Sequence, residues 1–192
     1  MSDTLLLTSD LHGSLSALRM IAQRAKDHDV GTILLSGDFC PSGGPQFQEL
    51  LQNLPPLVLV RGNCDTSYDF SNAGTALPPL SRTLSWGEKT ILITHGDRIT
   101  SVQGMHLKPG DIFLSGHTHV PKLERREDGV IWVNPGSPTY PRTALGQTYG
   151  LLDERGISIR TLQEDKPIAT LQYYFLPSTD QYESSNRARG TT

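Results

Sequence analysis

Asp10, His12, Asp38, Asn63, His95, His117 and His119 fall in short polar motifs: Asp10-Leu11-His12, Gly37-Asp38, Gly62-Asn63-Cys64-Asp65, Thr94-His95-Gly96 and Gly116-His117-Thr118-His119. In the Asp-x-His and His-x-His pairs the donors are two residues apart, on one side of an extended segment, which suits a shared ion. Carboxylate, amide and imidazole donors without a thiolate suit manganese best. Iron, zinc and nickel are the alternatives, and magnesium is less apt where histidines are many. If a pair of divalent ions is held by the carboxylates of Asp10 and Asp38, two positive charges are left, because neutral imidazoles and the Asn63 amide add nothing. A hydroxide and a phosphodiester would neutralise them, whereas a phosphomonoester dianion would overshoot by one. The balance leans towards diester chemistry.

Residues so far apart can meet only if the segments before them end at a common edge. Each motif follows directly on an apolar run. Thr4–Ser9 reads as a buried strand ending at Asp10, and Ser14 then caps a helix whose apolar positions Leu15, Leu18, Ile21, Ala22 and Ala25 recur at helical spacing. The same grammar repeats through a strand Thr32–Leu35, a loop Ser36–Gly44, a helix Pro45–Asn53 and a strand Leu57–Val60. Such alternation argues for a largely parallel sheet, whose strand ends line up along one edge. After residue 80 the rhythm changes to strands with shorter connections: Arg82–Trp86, Thr90–Thr94, Ile112–Ser115, Val130–Val133, Thr148–Leu152, Ile157–Leu162 and Ile168–Phe175. A helix around Ile99–Leu107 is weakly signalled. Two strand-rich halves with few helices imply two sheets packed face to face with helices outside.

At 192 residues, 36% hydrophobic and 19% charged, the chain is expected to form one globular domain over 1–176. The polar stretch 177–192 lacks periodicity and is expected to be a flexible tail. The net charge is -3, and no basic run exceeds Arg125-Arg126, so a nucleic-acid polymer is a poor partner and no membrane segment is signalled. The start of the chain shows no basic, apolar leader, and Cys40 and Cys64 are too few for a disulfide framework. A cytoplasmic location is expected.

The motifs Asp-x-His, Gly-Asp, Gly-Asn-x-Asp, His-Gly and Gly-His-Thr-His, in this order, resemble the calcineurin-like metallophosphoesterase superfamily. The strings GNCD, THG, GHTHVP and NPGS resemble its YfcE-like phosphodiesterase family, over roughly residues 4 to 175. The resemblance implies a four-layer α/β/β/α sandwich of two mixed sheets flanked by helices. It places Asp10, His12, Asp38 and His119 around one metal, and Asp38, Asn63, His95 and His117 around the other, with Asp38 bridging. It implies hydrolysis of a small phosphoester by a hydroxide shared between two ions about 3.5–4 Å apart, with the Asn63 amide touching the phosphate. It further implies self-association. Many relatives carry His where this chain has Cys64, placed to protonate the leaving group; a thiol with a pKa near 8.5 is a poorer acid for that role.

Each residue also has a plainer reading. Asp10 and Asp38 are ordinary turn formers taken singly, and only the ordered set favours ligation. His28 and His106 read as surface polar residues. Asp65 is either a catalytic-loop residue orienting a ligand or a turn former, and Asp97 has no clear assignment. Asn134-Pro135-Gly136-Ser137 reads most simply as a turn. Arg142 is a candidate for binding the substrate phosphate in bidentate fashion, as good as a surface ion pair. Trp86 and Trp132 read as core. The rival functions are a phosphomonoesterase and a non-catalytic metal-binding scaffold of the same fold, the latter favoured by loss of a ligand; none is lost here.

Overall fold

A computed structural model describes residues 3–173; the expected tail lies outside the described residues. In chain order the elements are β1 (Leu5–Thr8), α1 (Leu15–Asp27), β2 (Thr32–Leu35), α2 (Pro45–Gln52), β3 (Leu57–Leu59), α3 (Ser67–Asn72), β4 (Ser81–Trp86), β5 (Lys89–Thr94), β6 (Ile112–Leu114), β7 (Lys122–Arg125), β8 (Ile131–Asn134), β9 (Thr148–Asp153), β10 (Gly156–Thr161) and β11 (Pro167–Gln172). They form a sheet in the order β11-β10-β9-β1-β2-β3 and a second in the order β4-β5-β6-β8-β7.

Both sheets are mixed. β1, β2 and β3 run parallel, and β9, β10 and β11 are antiparallel additions. In the second sheet β5, β6 and β8 are parallel, with β4 and β7 antiparallel at the edges. The parallel strands read as unbroken apolar runs because both their faces are covered. In β1, Leu5 and Leu7 pack between the sheets while Leu6 packs under the helices. Likewise Leu34 faces the partner sheet, and Ile33 and Leu35 face the helices. In the second sheet Ile91, Ile93, Ile112, Leu114, Ile131 and Val133 point inwards, and Leu92, Phe113 and Val130 point to the outer face.

Ser14 accepts from the Ala17 amide at 3.2 Å and caps α1, as expected from the sequence. Three details differ from the sequence reading. α3 forms over a short polar stretch, capped by the Thr66 hydroxyl. β7 is an edge strand of mostly charged residues. The segment around Ile99–Leu107 is not helical; Gly104, at φ +80, breaks it, and Ile99, Val102, Met105 and Leu107 cover the outer face of the second sheet as irregular chain. The helical layer therefore lies on the first sheet.

His28, expected as a surface residue, is half-buried at the end of α1. Its Nε2 lies 2.9 Å from Asp165 Oδ2, and Asp165 also accepts from Arg160 Nε at 2.6 Å and from the Tyr149 hydroxyl. Burial raises the Asp165 pKa, but the hydrogen bonds from Arg160 and Tyr149 outweigh it and hold the carboxyl at about 2. Asp165 sits at φ +56, which Asn also tolerates. Asp165→Asn should therefore cost about 1–2 kcal/mol near neutral pH, where one charged hydrogen-bond acceptor is exchanged for a neutral one. Because the folded-state pKa is depressed, this contribution is present above the ordinary carboxylate range and is lost as pH falls through it towards 2. Thermal melts should show the gap between wild type and variant closing below about pH 4. A gap that stays constant to pH 2 would assign the effect to packing.

Candidate metal centre

The parallel register aligns the C-terminal ends of the central strands, and each hands over to a motif loop. β1 leads to Asp10 and His12, β2 to Asp38, β3 to Asn63, β5 to His95 and β6 to His117 and His119. Asp10, His12, Asp38, His117 and His119 all take φ between +45 and +68. Non-glycine residues adopt this left-handed region at a cost, and its repetition at one edge marks a place where the surroundings dictate the backbone.

Two groupings result. Asp10 Oδ1 lies 3.2 Å from His119 Nε2 and 4.0 Å from His12 Nε2, and the two imidazole Nε2 atoms approach to 3.3 Å. Asp38 Oδ2 lies 3.4 Å from His95 Nε2 and 3.8 Å from His12 Nε2, and His95 Nε2 is 3.2 Å from Asn63 Oδ1. Asp38 thus faces donors of both groups. His117 joins by its ring, whose centroid is 5.1 Å from that of His95.

The hydrogen bonds behind these atoms test whether cations fit. His119 Nδ1 is 2.7 Å from the Tyr140 carbonyl, and His95 Nδ1 is 2.8 Å from the Ser36 carbonyl. A carbonyl only accepts, so each Nδ1 carries the proton, and in the neutral ring Nε2 presents its lone pair to the carboxylates. His119 Nε2 and Asp10 Oδ1 then face each other as acceptors 3.2 Å apart, with His12 Nε2 beside them, and Asp10 Oδ1 is buried without a hydrogen-bond partner. Burial pushes the Asp10 pKa up. Lone pairs converging in a buried site repel unless a positive ion sits among them, so the residues present fit divalent metal. At His95, burial works against the charge, but the hydrogen bonds to Asp38 and the Ser36 carbonyl raise its pKa to about 9. Asp38 is raised by burial, yet held at about 2 by hydrogen bonds from His95 and the Cys64 amide. A proton on His95 and a metal ion compete for the same lone pair.

The remaining sequence-derived residues separate by position. Asn63, Cys64 and Arg142 line an open cleft of about 600 Å³ with His12, Asp38 and His117. The Cys64 amide donates to Asp38 Oδ1 at 2.7 Å and its thiol accepts from Asn63 Nδ2 at 3.2 Å. Burial, followed by the Asp38 hydrogen bond, pushes the thiol up to about 11, so it stays protonated at neutral pH. Asp65 does not line the cleft. Its carboxylate accepts from the backbone amides of Asp38, Cys40 and Gly62 at 3.0, 2.8 and 2.8 Å, which ties the Asp38 loop to the Asn63 loop. Asp97 pairs with neighbouring Arg98 at 3.5 Å. Cys40 is half-buried, with its thiol 3.6 Å from the Cys64 carbonyl.

The Asn134–Ser137 turn does more than reverse the chain. Asn134 Nδ2 donates to the Gly116 carbonyl at 2.8 Å and to Thr118 Oγ1 at 3.1 Å, and the Ser137 hydroxyl donates to the Asp10 carbonyl at 2.9 Å. It thereby holds the loops that carry Asp10, His117 and His119. The sequence signal was the polar-turn string itself, which a reading of it as punctuation passes over.

A model of the calcineurin-like phosphoesterase superfamily domain matches residues 4–156. The phosphodiesterase YfcE of Escherichia coli strain K12 is 25% identical over 177 residues, covering 86% of this chain and 95% of that protein. The probable metallophosphoesterase YsnB of Bacillus subtilis strain 168 is 28% identical over 189 residues, covering 95% of this chain and 96% of the relative. The solved structure of the E. coli phosphoesterase YfcE superposes with a TM-score of 0.74 at 24% identity, over 89% of this chain and all of that one. A domain match that takes in every one of the aligned strand-end motifs, on the two-sheet scaffold that brings them together, makes this chain a member of the calcineurin-like phosphoesterase superfamily.

Proposed function

We propose that the chain is a metal-dependent phosphoesterase that cleaves small phosphodiesters, with manganese as the preferred ion of a two-ion centre, in the cytoplasm. The observation that carries this reading is the convergence of metal-ligating groups from Asp10, His12 and His119, and from Asp38, Asn63 and His95, with Asp38 facing both sets. When bound, divalent ions supply Lewis acidity at phosphorus and a water of lowered pKa. The chain's own residues do the rest. Asp10 and Asp38 bring the carboxylates, so that an anionic diester meets a modest positive excess. The exposed amide of Asn63 and the exposed guanidinium of Arg142, both on the cleft wall, are the donors that this reading assigns to the phosphate oxygens. Asp65, through three amides, keeps the Asp38 and Asn63 loops in register. The net charge of -3 suits a small ester better than a nucleic-acid polymer. Retention of every ligand position favours catalysis over a binding scaffold, and self-association is the analogy-based expectation for its assembly.

The test joins activity to metal and proton counts. Chelated protein should be inactive on bis-p-nitrophenyl phosphate, and added manganese should restore turnover. Because the His95 pKa is raised, its proton is present below about pH 9 and must leave as metal binds, so manganese affinity should weaken as pH falls from 9. Calorimetry at pH 7.5 in buffers of different ionisation enthalpy should show proton release. Full activity in excess chelator would remove the reading.

Cys64 gives a finer test. With its pKa near 11 the thiol is a weak proton donor to a leaving alkoxide. Cys64→Ser should leave an activated aryl diester within about tenfold in kcat/KM, since an aryl oxide departs unprotonated. Cys64→His should favour alkyl esters over aryl ones. A collapse of aryl-diester turnover in metal-replete Cys64→Ser would mean that the thiol itself positions substrate.

A further inference from the structure

A second cleft, of about 440 Å³, opens on the outer face of the second sheet and is walled by Trp132, Ile99 and Val120, with the fully buried Phe113 beneath them. Its inner rim is formed by Gly96, Gly116 and Thr118. Gly96 follows His95, Gly116 precedes His117, and Thr118 lies between His117 and His119, so the rim is built from the same loops that carry three of the candidate ligands. We propose that this cleft receives an aromatic ester arm of the substrate whose phosphate sits at the metal centre, a deepening that rests on the phosphoesterase reading.

The chemistry of the walls selects the occupant. Trp132 and Phe113 meet edge to face, with centroids 5.5 Å apart, and the indole is held by a 2.9 Å hydrogen bond from Nε1 to Ser115 Oγ. The buried Phe113 thus braces Trp132, whose exposed part is the aromatic surface the cleft offers to a ring. The charged member of the lining, Lys122, has its ammonium 4.0 Å from the Trp132 ring centroid and 2.8 Å from Glu124 Oε2. Its charge is offset, so the cleft offers no site for a second phosphate. The amide of Asn134, also in the lining, is spent on Gly116 and Thr118. What remains is concave apolar surface of the volume that small-molecule sites take. The Ile99–Leu107 segment, which packs over Phe113, is irregular and leaves Trp132 partly exposed.

The test uses two ligands that differ only in the ring, methylphosphonate and benzylphosphonate, on manganese-loaded protein. In a Trp86→Phe background the fluorescence of Trp132 reports the cleft directly. Benzylphosphonate should bind at least about tenfold tighter than methylphosphonate, as expected for burying part of a ring, and should alone perturb Trp132. Calorimetry on Trp132→Ala and, in case that variant folds poorly, on Ile99→Ala should show the benzyl preference shrinking several-fold. Equal affinities, or a benzyl preference untouched by both variants, would overturn the proposal. Absence of bis-p-nitrophenyl phosphate turnover would instead count against the phosphoesterase reading, while the Trp132 signal would still decide whether the cleft takes the ring.

Discussion

Asp38→Asn should empty both metal positions and lower kcat/KM on an activated diester by about three orders of magnitude, a transition-state cost of roughly 4 kcal/mol. One oxygen of Asp38 is engaged by the Cys64 amide at 2.7 Å, and the other faces His95 Nε2 at 3.4 Å and His12 Nε2 at 3.8 Å. An Asn at this position can keep the bond to Cys64 with its carbonyl. It must then turn an NH2 towards the imidazoles, where a donor repels a cation and the negative charge that offset it is gone. His12 belongs to the Asp10 grouping and His95 to the Asn63 grouping, so one substitution weakens both. Elemental analysis after manganese loading and gel filtration should find both ions depleted. Two ions retained with normal turnover would mean that Asp38 serves neither as shared ligand nor as charge balance.

The parts of this structure legible in the sequence are those written in side chains at short range. Leu5–Leu7 and Thr32–Leu35 announce strands covered on both faces, and the motif after each apolar run announces the edge. The ligand types follow from Asp, Asn and His alone. Other features depend on contacts between distant residues. β7 is charged at three of its four positions and is a strand because Leu123 and Glu124 pair with Val133 and Trp132 of β8. α3 is too short and polar to show periodicity. Around Ile99–Leu107 the sequence signals a helix only weakly, and in the structure Gly104 takes a left-handed turn and the segment lies on Phe113 and Val130.

At the site, the sequence shows which side chains are candidate ligands but not what aims them. The carbonyls of Ser36 and Tyr140, which fix the tautomers of His95 and His119, belong to residues whose side chains carry no signal for that part. The left-handed backbone at Asp10, His12 and Asp38 has no local cause either. It arises because amides of one loop bond to carbonyls of the next, Asp10 to Gly37 at 3.0 Å and His12 to Asp38 at 2.9 Å. The same holds for Asp65: its type suggested chemistry, and its three amide contacts show instead that it anchors the loops.

Gly62→Ala should disable the centre without touching a ligand, with a loss in kcat/KM of at least about a hundredfold, or roughly 2.7 kcal/mol. A Cβ at Gly62 would lie 2.1 Å from Asp38 Oδ1 and 2.4 Å from the Asp38 amide nitrogen. Neither atom can step aside cheaply, because the amide is bonded to Asp65 Oδ2 at 3.0 Å and Oδ1 to the Cys64 amide at 2.7 Å. The methyl group must push the Asp38 carboxylate off the line shared by His12 and His95, or push the Asn63 loop away from it. Overpacking of this kind costs about 1–3 kcal/mol of stability, so the fold should survive while the ligand geometry does not. Gly44→Ala is the control. Its Cβ would meet only Ser42 Oγ, at 3.8 Å, and it lies away from the motif loops at the start of α2. The control should keep its manganese and its turnover, with a small loss of melting temperature from the changed helix cap. Gly62→Ala should show a native circular-dichroism spectrum, manganese binding weakened at the Asp38 side, and activity that excess manganese restores only in part. If it binds two ions with wild-type affinity and turns over normally, then the Asp38 and Asn63 loops are not packed as closely as the structure places them, and the account of how these loops aim the carboxylate fails with it.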